Sequence, residues 1–314
     1  MSAEDDRQPA YLELLDPDAL AKIHRLELIA RGVVEGFVAG RHQSPYKGFS
    51  VEFAEHREYV PGDNIRDLDW RVLARSDRYY IKQYVEETNL RGVILLDASG
   101  SMGYAGQRAA RHNGRPLSKF RYGQFLAASL AHLMIHQQDA AGLVTFDTAI
   151  RRYIPPRSRV THLKVLLEEL AATAPGNETS VAAIFHDVAE RIRRRGLVVI
   201  ISDLFVDPKE LALGLQHFRH KRHEVIVFHV LDRYERAFPF MDLTLFKGME
   251  GYQDVFAEPR GLRDDYLAEL EAFIRDVRRV CRQHRIDYVP MTTSDSLGVA
   301  LSAYLAGRLA MRGK

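Results

Sequence analysis

The stretch "VILLDASGSMGY", residues 93–104, decides the fold. An apolar run of strand length stops at Asp97, and Ser99 and Ser101 follow at alternate positions. A strand that is apolar throughout is buried, and a carboxylate leaving such a core needs a partner. Outward from this point, strands and helices alternate. The pattern predicts strands over 91–96, 141–146, 150–154, 197–202, 224–230 and 286–291. Between them, Val181, Ile184, Phe185, Val188 and Ile192 recur at helical spacing, as do Leu267, Leu270, Phe273, Ile274, Val277 and Cys281. Such alternation predicts an α/β fold, a mostly parallel sheet with helices on both faces. The link between 141–146 and 150–154 is too short for a crossover helix, so that pair is expected as a hairpin with one antiparallel edge strand. "LTLFKGMEGYQDVF", residues 243–256, reads as an inserted hairpin.

The totals narrow the classes. The chain has 314 residues, 46% hydrophobic and 27% charged, with a formal net charge of +2. That balance gives no electrostatic footprint for nucleic acid. A single cysteine, Cys281, excludes an intramolecular disulfide and a cysteine-based zinc site. The start, "MSAEDDRQPA", has no basic segment followed by an apolar core, so no signal peptide is expected. The longest apolar runs are too short to span a bilayer. A cytoplasmic protein without membrane insertion of its own is the expectation.

Residues 1–89 read differently from the rest. A helical pattern covers 18–38, "PGDN" at 61–64 signals a turn, and "YYIKQYVEE" alternates as a strand does. The expected organisation is an N-terminal α+β segment, 1–89, followed by the sheet domain, 90–314. In the charged region, Arg57, Arg66, Asp69, Trp70 and Arg75 are candidates for a partner surface. Trp favours that reading because it is enriched at binding hot spots. The competing reading is an ion-pair network that is purely structural.

Ligands of open α/β sheets bind beyond the carboxyl ends of the strands. Asp97, Ser99 and Ser101 are expected there, with Asp203 ending the strand "LVVIIS" and Thr179 just before a helix. Three chemistries compete. A hydrolase could use Ser101 as nucleophile, but "SGSMG" is displaced from the strand-to-helix elbow such serines occupy. An aspartyl-phosphate enzyme needs a general acid two residues after the first Asp, and Ser99 cannot serve. A hard cation suits all five residues, since hydroxyl and carboxylate oxygens are its preferred donors.

D-x-S-x-S after a first strand, with a later Thr and a later Asp, resembles the metal-ion-dependent adhesion site of von Willebrand factor A domains. The resemblance implies that Ser99, Ser101 and Thr179 ligate Mg²⁺, or Mn²⁺ or Ca²⁺ in its place, with Asp97 and Asp203 supporting. "GFSVEFAEHREYVPGDNIRDLDWRVLARSDRYYIKQYVEETN", "VEGFVAGRHQSP", "VLDRYERAFPF" and "IDYVPMTTSDSLGVALSAYL" resemble the signature of the domain-of-unknown-function 58 family. Many members of that family carry two transmembrane helices ahead of this region, and this chain resembles the short form. The resemblance implies a non-catalytic adaptor or co-chaperone whose partner is a MoxR-type AAA+ ATPase.

Overall fold

The structure, a computed structural model, describes residues 11, 14–15, 51–60, 68–76, 78–86, 90–107, 109, 111–112, 115–176 and 181–298. The chain divides into two compact units, Gly36–Asn89 and a larger one made of Met1–Glu35 with Leu90–Lys314. The expected helix at 18–38, the turn at 61–64 and Thr179 lie outside the described residues.

In the smaller unit, β1 (Val51–Glu58) precedes α1 (Trp70–Ser76), and β2 (Tyr80–Glu86) pairs antiparallel with β1. The predicted "YYIKQYVEE" strand is therefore present. Asp69 is buried and starts α1, where its carboxylate accepts from Val72 N at 3.3 Å, as a helix cap does.

Among the described residues of the larger unit, β3 (Arg91–Asp97) is followed by a short hairpin of β4 (Arg111–His112) and β5 (Arg115–Pro116). Then come α2 (Lys119–His136), β6 (Ala140–Phe146), β7 (Ile150–Arg157), α3 (Val160–Ala172) and α4 (Val181–Arg191). The chain continues through β8 (Leu197–Ser202), α5 (Pro208–His220), β9 (Glu224–Leu231) and α6 (Arg233–Ala237). Then follow β10 (Thr244–Phe246), β11 (Val255–Ala257), α7 (Pro259–Gln283) and β12 (Asp287–Thr292). Six strands form one sheet in the order β12-β9-β8-β3-β6-β7, all parallel except β7, which runs antiparallel to β6 at the edge. The expected α/β class, the edge hairpin and the inserted hairpin are all found.

Alternation along the strands divides the core. Val93 and Leu95 of β3, Val198 and Ile200 of β8, and Val225 and Val227 of β9 join α4, α5 and α7 in one cluster. The intervening residues face the other way. There α2 comes so close that a Cβ at Gly123 would stand 2.9 Å from Leu96 Cδ1. Each fully buried aliphatic side chain contributes roughly 1.5–3 kcal/mol. β7 runs through Pro155 and Pro156, which an edge strand tolerates because its outer N–H groups have no ladder partner.

One buried group opposes the fold. Asp139 accepts from Leu90 N at 2.9 Å through one oxygen, while its other oxygen has no hydrogen-bond partner among the described residues. Burial pushes its pKa up to about 7. The folded state thus holds this proton more tightly than the unfolded chain does. Stability falls as pH rises between the ordinary value of 3.8 and about 7, by up to about 1.4 kcal/mol per pH unit. Asp139→Asn keeps an acceptor for Leu90 and removes the charge. Its melting temperature is expected to exceed that of the parent at pH 8 and to converge on it near pH 4, as thermal scans at both pH values will show.

Candidate functional site

The chain leaves β3 toward β6 on one side and leaves β8 toward β9 on the other, although β3 and β8 are neighbours. Their carboxyl ends therefore flank a topological switch point, where the following segments diverge and open a crevice. Asp97 closes β3 and Ser202 closes β8.

Asp97 is wholly buried. Its Oδ1 accepts from Ser99 N at 2.9 Å and its Oδ2 from the Ser202 hydroxyl at 2.6 Å. The Ser99 and Ser101 hydroxyls stand 3.2 Å apart, and the Ser99 hydroxyl also leans on Asp97. Burial, followed by the charge of Asp203, pushes Asp97 up to about 7. After β8 the backbone turns sharply. Leu204, fully buried, adopts φ 55°, and its N–H donates to the Ser202 hydroxyl at 2.9 Å. A left-handed leucine is costly and persists only where its surroundings fix it; here the turn carries Asp203 into the crevice.

Asp203 does not face Asp97 alone. Lys119, the first residue of α2 and wholly buried, donates to Asp203 Oδ2 at 2.7 Å and to Glu235 Oε1 at 2.5 Å. Burial alone would pull the ammonium down, but the two carboxylates outweigh it and raise its pKa. The Phe205 ring covers it at 4.7 Å from the centroid, close enough for a cation–π contact. Glu235 is held in turn by a capping box at the start of α6. Its other oxygen accepts from Asp232 N at 2.7 Å, and Asp232 accepts from Tyr234 N and from the Thr293 hydroxyl, both at 2.8 Å.

The inserted hairpin reaches the same crevice. Ser101 N donates to Glu250 Oε1 at 2.8 Å, and a Cβ on Gly100 would run into the backbone of Met249. A groove of about 370 Å³ opens beside this contact, lined by Phe205, Val206, Asp207, Glu210, Tyr252 and Phe273 together with Glu250.

These residues fit a hard cation. Two hydroxyls and a carboxylate converge, and all are oxygen donors of the kind Mg²⁺ takes. Among the described residues Lys119 is the only buried lysine or arginine, set against buried Asp97, Asp203 and Asp232, so positive charge is in deficit. No three His, Cys, Asp or Glu side chains converge closely enough to hold an ion by themselves among the described residues, so the serines are indispensable to any such site. Ser101 has no histidine among its described hydrogen-bond partners.

The structure thus brings together Asp97, Ser99 and Ser101, places Asp203 beside them in the grip of Lys119, and leaves Thr179 outside the described residues. In the smaller unit, Trp70 and Arg75 are exposed and Asp69 caps α1. Arg66 lies outside the described residues, as does the side chain of Arg57. Sequence reading missed Lys119, Ser202, Glu235 and Glu250. Only Glu235 carried a local signal, the Asp-x-x-Glu spacing of a capping box in "DRYE".

Residues 55–272 match the family model described as protein of unknown function DUF58. The uncharacterized protein Rv1480 of Mycobacterium tuberculosis is 29% identical over 271 residues, which cover 85% of this chain and 82% of that protein. Among solved structures, the conserved hypothetical protein BatB from Bacteroides thetaiotaomicron aligns over 70% of this chain and 99% of its own, at 15% identity and a TM-score of 0.45. An aerotolerance-related membrane protein from Bacteroides fragilis aligns over the same shares, at 14% identity and a TM-score of 0.43. The expectation of a cytoplasmic location is withdrawn; the Bacteroides fragilis protein is named as a membrane protein. No helix among the described residues is long and apolar enough to cross a membrane, but that does not place the chain in the cytoplasm.

Proposed function

This chain belongs to the DUF58 family, and on that premise we propose that it is a non-catalytic, metal-dependent protein-binding module of the von Willebrand factor A type, an adaptor for a MoxR-type AAA+ ATPase. The observation that carries the reading is the convergence of the Ser99 and Ser101 hydroxyls beside buried Asp97 at the sheet's switch point. Ser99, Ser101 and, by the adhesion-site pattern, Thr179 would hold the cation, with Asp97 and Asp203 supporting. Mg²⁺, or Mn²⁺ or Ca²⁺ in its place, would supply a positive charge open to one carboxylate from a partner. Ser202 fixes the Asp97 carboxylate, and Lys119 holds Asp203. Neither residue has to move for a partner to bind.

A charge-assisted contact in a crevice is stronger than a neutral hydrogen bond and gives specificity for acidic groups. The partner assignment is tested by capture of the cognate MoxR-type ATPase on the tagged full chain. Recovery is expected in Mg²⁺ and should fall at least about tenfold in EDTA, a loss of about 1.4 kcal/mol or more. The Ser99→Ala/Ser101→Ala variant should behave in Mg²⁺ as the parent does in EDTA. Equal recovery in all three, with folding verified by circular dichroism, would remove the crevice as the docking point.

A further inference from the structure

The Glu250 carboxylate reaches the crevice from within the chain and accepts from Ser101 N, the backbone of the residue whose hydroxyl pairs with that of Ser99. An acidic side chain thus already stands where the proposed function would seat a partner's carboxylate. We propose that Glu250 is an internal mimic of that ligand, and that the hairpin carrying it is a latch which must lift before an acidic partner segment binds. This inference rests on the reading of the crevice as a carboxylate-binding site.

The hairpin is built for such movement. Its ladder is fixed where the tip begins: Phe246 of β10 stacks on Phe238 with ring centroids 5.8 Å apart, and meets Phe240 edge-on at 5.3 Å. Phe238 also stacks on Tyr266 of α7 at 4.4 Å. Its strands are three residues each and, among the described residues, pair only with one another. The tip is tied internally by Gly248 N donating to Asp254 Oδ1 at 3.0 Å, and Gly251 turns the chain at φ 74° just after Glu250. Beyond Glu250, the tip meets the crevice through Met249 against Gly100 and Gly103. Met249 is itself 44% exposed and Tyr252 78% exposed, so little apolar surface holds the tip down. A firm ladder and a lightly held tip describe an element that opens locally at small free energy.

A closed latch lowers the apparent affinity for an outside carboxylate by the fraction of molecules that are open. If one molecule in about ten is open, removing the latch tightens binding about tenfold. Glu250→Gln removes the charge and keeps an acceptor for Ser101 N. Glu250→Ala removes the contact altogether and guards against a glutamine that stays in place. Two measurements on the full chain separate this proposal from the reading beneath it. Hydrogen exchange without metal reads the latch alone: amides at 247–252 should exchange several-fold faster in Glu250→Ala than in the parent, with β3 and β8 unchanged. Mn²⁺ titration followed by an oligoglutamate peptide of about ten residues reads competition. The peptide should bind Glu250→Ala about tenfold more tightly than the parent, with Glu250→Gln at or between the two, and only with Mn²⁺ present. Unchanged exchange, equal peptide affinity for parent and variants, or no peptide binding to Mn²⁺-loaded Glu250→Ala each overturns the latch. Failure of Mn²⁺ itself to bind would instead overturn the proposed function.

Discussion

Lys119→Met is expected to lower the unfolding free energy by about 3–5 kcal/mol, the usual cost of removing one partner from a buried charge cluster. Lys119 is wholly buried and bonds two carboxylates, Asp203 at 2.7 Å and Glu235 at 2.5 Å. Methionine fills much of the same volume, so the effect reads charge more than packing. Left behind are two carboxylates with water excluded, a state far more costly than the intact cluster. The triple variant Lys119→Met/Asp203→Asn/Glu235→Gln should recover most of the loss, because neutral amides need only hydrogen bonds. Urea unfolding of the parent and the two variants decides the matter. A single variant as stable as the parent would mean that the ammonium balances nothing, and a triple variant no better than the single would mean that packing is the cause. The cluster also ties together the starts of α2 and α6 and the end of β8, so its loss should loosen the crevice before the rest of the sheet.

That cluster shows where sequence reading stops. β3 and β8 were legible because each is an apolar run broken by Asp or Ser, and the hairpin at 243–256 was legible from its turn residues. A lysine at a helix start, by contrast, is ordinary in sequence. Its partners lie 84 and 116 residues away, and only the sheet order brings them together. Glu250 is hidden for the same reason, 149 residues from Ser101. The edge strand was read too short, over 150–154, because prolines usually end a strand. At a sheet edge they need not, and β7 continues to Arg157. In the smaller unit, Asp69 is a candidate for a charged partner surface in the sequence, and in the structure it is buried and its carboxylate accepts from Val72 N as a cap. Sign alternation along a sequence cannot distinguish a cap from an exposed charge. Trp70 is 60% exposed.

Asp97→Asn is expected to abolish the stabilisation that Mn²⁺ or Mg²⁺ gives the parent, and to do so without weakening the metal-free fold by more than about 1 kcal/mol, the usual worth of one hydrogen bond. Asparagine is nearly isosteric and can still accept from Ser99 N, although the Ser202 hydroxyl loses a charged acceptor. Against that loss stands a gain. The Asp97 carboxylate is fully buried beside Asp203, and the burial, then the neighbouring charge, that push its pKa up no longer act on a neutral amide. The two changes oppose each other in the absence of metal. With metal they do not. A cation present at about 100 times its dissociation constant stabilises the folded parent by about 2.7 kcal/mol, and an amide offers it no charge. Thermal scans in EDTA and in saturating Mn²⁺, on parent and variant, give four values. The expected pattern is a rise with Mn²⁺ for the parent alone and near-equal melting in EDTA. Equal rises in both proteins would place the ion elsewhere, and a parent unmoved by either metal would mean that the two serines and Asp97 form a polar corner that caps the sheet and binds nothing.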